Sequence, residues 1–131
     1  MTVSVRLRAA YRASDYVAAG VTIRVGRRSA AMDALLQAHG SRRAVFVTAW
    51  NPYSRKMPPG WNARMQAALL DRLRRFRTLP ADGGWRRWRE AHVLAFGAPQ
   101  PLLRYAWLFR QNAVVIVRVG AAARLVGSAK E

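Results

Sequence analysis

The chain has 131 residues, 52% of them hydrophobic, with no cysteine and a formal net charge of +17. That length suits a single domain, 1–131, with one core, and the absence of cysteine excludes disulfides and thiolate metal sites. No apolar run reaches the roughly 18 residues of a membrane-spanning helix.

The first 14 residues or so, "MTVSVRLRAAYRAS", are basic and lack a signal-type apolar core, so they read as an N-terminal arm or short helix. Val21, Ile23 and Val25 alternate with polar or small residues, the pattern of a half-buried strand that Gly20 starts or bulges. Ser29 is placed as an N-cap and Gly40 as the residue after the helix. Met32, Leu35, Leu36 and His39 keep helical spacing between them. "AVFVTAW" follows as a short strand apolar on both faces. After "PPGW", Asn62 is placed as the cap of a helix reaching about Arg77, with Met65, Leu69, Leu73 and Phe76 on one face. "LPADGG" reads as the stop of that helix. "WRRWREAHVLAFG" reads as a strand strongest at Ala91–Phe96. Pro99 and Pro101 open a short helix, "QN" breaks it, and "AVVIVRVG" is the last strong strand. Residues 120–131 read as an edge strand and flexible tail.

The order β-α-β-α-β-α-β predicts an α+β domain with α/β-like alternation. Its mixed sheet has four to five strands, some of them in parallel pairs, packed with about three helices.

Chemistry-bearing motifs are sparse. The chain has no P-loop, dinucleotide fingerprint, HExxH or nucleophile elbow, so no cofactor and no metal is implied. His39 suits a helix C-terminus, where the dipole favours it. Glu90 and His92 lie two apart on a strand and so share a face, which makes them the candidate catalytic pair. The plainer reading of Glu90 is a surface ion pair with Arg87 or Arg89. Trp50, Asn51, Tyr53 and Ser54 crowd the end of a buried strand, where a turn needs only one or two such residues. Asn51 before Pro52 reads as a turn initiator, Asn112 as a left-handed helix terminator and Gln111 as solvated. Together with Asn62 they are also candidate ligand-binding groups.

The charge comes from 21 Arg and only 2 Lys beside 24 Ala, a bias that a GC-rich coding sequence produces. Its densest concentration is Arg72, Arg74, Arg75, Arg77, Arg86, Arg87 and Arg89, interleaved with Trp85 and Trp88. That is the candidate surface for nucleic acid or another polyanion. The alternative is a solvated helix face with the tryptophans anchoring a turn.

"FVTAWNPYS" (46–54), Asn62, "WREAHVLAFG" (88–97) and "RQNAVVIV" (110–117), in that order, resemble a small bacterial domain-of-unknown-function family, number 3293. The resemblance runs from about Tyr11 to Val117. Its polar pattern falls on Thr48, Asn51, Pro52, Ser54, Asn62, Glu90, Gln111 and Asn112. It implies a compact cytoplasmic protein and no particular activity, partner or oligomeric state. The arginine excess is not part of the pattern.

Three readings follow. The first is a structural or interaction protein whose amides fix its turns. The second is a small polar-ligand or enzymatic site at one sheet edge. There the amides would orient the ligand, Trp50 or Tyr53 would cover it, and Glu90 would be the acid or base. The third is a polyanion-binding surface.

Overall fold

The computed structural model describes residues 3–128. Seven strands form one sheet: β1 (Asp15–Ala18), β2 (Val21–Ile23), β3 (Arg43–Val47), β4 (Arg77–Trp85), β5 (Trp88–Phe96), β6 (Ala113–Arg118) and β7 (Arg124–Gly127). The helices are α1 (Val5–Ala13), α2 (Ala30–Ala38), α3 (Pro59–Arg72) and α4 (Pro99–Leu108). The spatial order is β2-β1-β4-β5-β3-β6-β7, and every ladder is antiparallel. No helix among the described residues is long and apolar enough to cross a membrane.

This corrects the expected mixed sheet of four to five strands with parallel pairs and about three helices. Helical crossovers do join strands of like direction, β3 to β4 through α3 and β5 to β6 through α4. In each case an antiparallel strand occupies the slot between them. β5 lies between β3 and β4, and β3 lies between β5 and β6. Alternation along the chain therefore produces no parallel neighbours.

Two strands escape the sequence pattern. "RTLPADGGW" reads as a helix stop followed by a turn, yet it is β4. Proline is tolerated there because β1 pairs only with Ala81–Gly84, leaving Pro80 on a locally free edge. β1 and β2 form a tight hairpin over Ala19 (φ 50°) and Gly20 (φ 77°), the left-handed pair that matches strand twist. Gly20 is thus a hairpin turn residue rather than a bulge. The helix expected to reach Arg77 ends at Arg72, since Arg77 is already needed in β4. Ser29 caps α2, its Oγ accepting from Met32 N–H at 3.0 Å, and His39 sits at the C-cap ahead of Gly40 (φ 65°). α1 falls within the expected N-terminal arm, and β7 pairs with β6 as an edge hairpin. Of the expected flexible tail, residues 129–131 lie outside the described residues.

The sheet curls. Beyond β2, Gly26 N–H donates to Ala123 O at 2.8 Å and Ala123 N–H donates to Arg27 O at 3.0 Å. These bonds draw the two sheet edges together at one end, producing a half-barrel. Period-two alternation then separates two faces. The convex face carries Val45, Val47, Val93, Ala95 and Val114, against Leu69 of α3, Leu73 at its C-cap, and Leu102 and Ala106 of α4. The concave face carries Tyr16, Ile23, Ala44, Phe46, Leu94, Phe96, Val115 and Val117, against Met32 and Leu36 of α2.

Candidate functional site

α2 fills only one end of the concave face. At the other end the sheet and α1 enclose a cavity of about 540 Å³, within the usual range for small-molecule pockets. Leu7, Tyr11 and Ser14 line it from the α1 side at i, i+4 and i+7 spacing. Thr48 continues the concave row of β3 after Phe46, and Glu90 and His92 precede Leu94 on β5. Tyr16, Gly83 and Glu90 stand abreast across β1, β4 and β5. Gly83 must lack a side chain: a Cβ there would lie 2.6 Å from Tyr16 Cδ1 and 2.9 Å from His92 Cε1. Its absence lets the Tyr16 and His92 rings meet edge to face at 5.6 Å between centroids.

Antiparallel pairing of β3 with both β5 and β6 brings the end of β3 beside the starts of the other two. The polar residues of those three strand ends consequently meet. Asn51 Nδ2 donates to Glu90 Oε2 at 2.6 Å. Asn51 Oδ1 accepts from Asn62 Nδ2 (3.0 Å) and Met57 N–H (2.8 Å), and Asn62 Oδ1 accepts from Asn51 N–H (3.0 Å). Gln111 Nε2 donates to Trp50 O at 2.9 Å, and Asn112 Nδ2 donates to Ser54 Oγ at 3.3 Å. Tyr53 N–H donates to Arg110 O at 2.6 Å. These bonds hold an unusual backbone, for Asn51 (φ 47°), Tyr53 (φ 50°) and Ser54 (φ 64°) are all left-handed. Such clustering of disfavoured conformations persists only where surrounding bonds impose it.

Several assignments change. Asn62 is not a cap; it lies inside α3, whose N-cap is Pro58, and it is buried. Arg110 (φ 58°), not Asn112, is the left-handed residue after α4. Gln111 is buried rather than solvated. Trp50 and Tyr53 do not line the cavity, nor do Asn62 and Asn112; Asn51, Ser54, Glu90, His92 and Gln111 do. Glu90 pairs with neither Arg87 nor Arg89. Strand alternation sends Arg89 to the opposite side, where it bonds Asp15 at 2.6 Å and Asp82 through Nε at 3.0 Å.

The arginine concentration is divided. Arg77 and Trp85 are the two ends of β4, nine residues long and so about 26 Å from end to end at the usual rise. Arg72, Arg74, Arg75 and Arg77 lie at one end, and Arg86 and Arg87 at the β4–β5 turn. Arg86 stacks on Trp85 at 4.5 Å. Trp85 and Trp88 instead help line the cavity, while staying about half exposed at its rim.

The electrostatics of the cavity are distinctive. Burial raises the Glu90 pKa, against the lowering effect of hydrogen bonds from Asn51 and Trp88. Trp88 Nε1–H donates to the same Oε2 at 3.2 Å, so Oε1 takes no hydrogen bond from the described residues. Burial pushes His92 down to about 4, leaving it neutral at pH 7. Its Nδ1 lies 3.0 Å from Glu90 O, an acceptor only, so Nδ1 carries the proton and Nε2 the lone pair. Burial, then Glu90, pushes Tyr11 up to about 12; Tyr16 also rises, by burial first. Both phenols therefore stay protonated donors. No group of three His, Cys, Asp or Glu among the described residues is placed to hold a metal ion.

Tyr11, Tyr16 and Phe46 were missed as site residues. Alternation into "FVT" placed Phe46 on a face, but only the curl and α1 make that face a cavity wall.

The family described as "Protein of unknown function (DUF3293)" matches residues 47–114, and the chain belongs to it. The matched span contains the Asn51–Glu90 network, while Tyr11 and Tyr16 lie before it. No curated protein and no solved structure matches the chain.

Proposed function

We propose that this protein binds a small molecule in its concave cavity, with Glu90 as the group that recognises it and can exchange a proton with it. The observation that carries the reading is one carboxylate with a raised pKa, aimed into an aromatic-walled cavity and held by an amide network behind it. Asn51 and Asn62 spend their hydrogen bonds on each other, on Met57 and on Glu90. They act as supports that fix the carboxylate rather than as groups that touch the ligand. This joins the structural reading of the amides to the ligand-site reading of Glu90. Neutral His92, two residues along the same face, is a second proton acceptor through Nε2.

The test is a thermal-shift screen of small polar and aromatic metabolites against the wild-type protein and Ala113→Leu, which fills the cavity from β6. At 100 times Kd, a ligand that fits raises the wild-type Tm by about 10 °C and leaves Ala113→Leu unmoved. If no compound shifts the wild type, or every shift persists in the variant, the reading fails.

A further inference from the structure

Of the 22 Lys and Arg side chains among the described residues, none lines the cavity. This is notable where bases outnumber acids 23 to 6, because a random wall of that size would include several. The other described carboxylates have partners elsewhere. Asp15 and Asp82 share Arg89, Asp71 pairs with Arg74, and Asp33 accepts the Gly120 N–H. Among the described carboxylates, Glu90 alone is directed into an aromatic enclosure, made by Tyr11, Tyr16, Phe46, Trp85 and Trp88, with no cation of the described residues paired to it.

A desolvated carboxylate is unfavourable unless a positive charge joins it. Aromatic faces attract cations and add to that preference. An anionic ligand would meet the Glu90 charge with no base to offset it.

Resting on the ligand-site reading above, we infer that the cavity's ligand is a small organic cation: a protonated or quaternary nitrogen on an apolar or aromatic body. The nitrogen would sit against Glu90 Oε1 and the body between the ring side chains. The net charge of +17 does not forbid this. Surface charges are screened over about 8–10 Å at physiological ionic strength, whereas the buried carboxylate acts at contact distance. The bases nearest the rim are Arg86 and Arg87 at the β4–β5 turn and Arg6, Arg8 and Arg12 on α1, and none of them lines the cavity. Arg86 is turned onto the Trp85 ring rather than into the cavity.

The experiment uses three probes with one body and different heads: tryptamine, tryptophol and indole-3-acetate, titrated calorimetrically into the whole chain at pH 7. Tryptamine is expected to bind at least 10-fold more tightly than tryptophol, and indole-3-acetate most weakly. In Glu90→Gln, with fold confirmed by circular dichroism, the tryptamine advantage should fall below about 2-fold while tryptophol binding persists. If tryptophol or indole-3-acetate matches tryptamine, or if the preference survives in Glu90→Gln, the cation inference is overturned while the cavity still stands as a binding site. If none of the three binds at millimolar concentration, the inference falls, and the metabolite screen separately decides the ligand-site reading.

Discussion

The two faces of the sheet are built from the same strands, residue by residue in alternation, yet they are finished differently. The convex face is sealed along its length by α3 and α4, with Leu69, Leu73, Leu102 and Ala106 almost wholly buried. The concave face is sealed by α2 at one end only. At the other, α1 roofs a cavity without burying any of its own residues. Apolar filling is the ordinary way to stabilise a sheet face. A face left open and furnished with Glu90, His92 and two tyrosines forgoes that stabilisation, which is the usual mark of a site.

Leu69→Ala breaks the sealed face and should have the largest effect. Stability should drop by about 2–5 kcal/mol in denaturant titration, with ligand affinity unchanged wherever the variant is still folded. A comparable affinity loss would mean the two faces are coupled.

His92 tests the open face through pH. Its pKa is about 4 in the folded chain against 6.5 when unfolded. Below pH 6.5 the unfolded state takes the proton first, so stability falls as pH drops from 6.5 to 4 and levels off beyond. The integrated loss is about 3 kcal/mol. Glu90 works the other way: with its folded pKa raised, it adds stability as pH falls through that pKa. His92→Gln should flatten the steeper acid limb, and an unchanged slope in chemical denaturation across pH 4–7 would assign the limb to other groups.

Asn51→Ala sharpens the division of labour within the site. It strands the Met57 N–H, leaves Asn62 Nδ2 with only Met57 O at 3.3 Å and Glu90 with only Trp88, and should cost about 1–3 kcal/mol by thermal melting. Ligand binding should weaken as well, because Glu90 loses its support. A melting loss with binding intact would leave the amides purely structural. Glu90→Gln should have the smallest effect on stability, with Tm at pH 8 unchanged or raised, since it removes a desolvated charge. A marked fall in Tm would make Glu90 a structural anchor.

Part of this was legible in the chain itself. "AVFVTAW", "EAHVLAF" and "AVVIV" announce buried strands, and Ser29 and Gly40 bracket α2. β4 was not legible, because Pro80, Gly83 and Gly84 carry turn signals that its strand neighbours overrule. The pairing of Glu90 with His92 on one face follows from the two-residue period alone. That Glu90 ends 2.6 Å from Asn51, 39 residues away, does not.

Local pattern thus determined the strands β2, β3, β5 and β6, the face each of their side chains takes, and that the chain is strongly basic. Only the tertiary structure decided that the seven strands pair antiparallel, that the sheet curls, and that the described basic residues stay out of the cavity. Alternation is a property of neighbours in the chain. Strand order and curl arise from pairings between distant segments, whose partners no short stretch of sequence specifies.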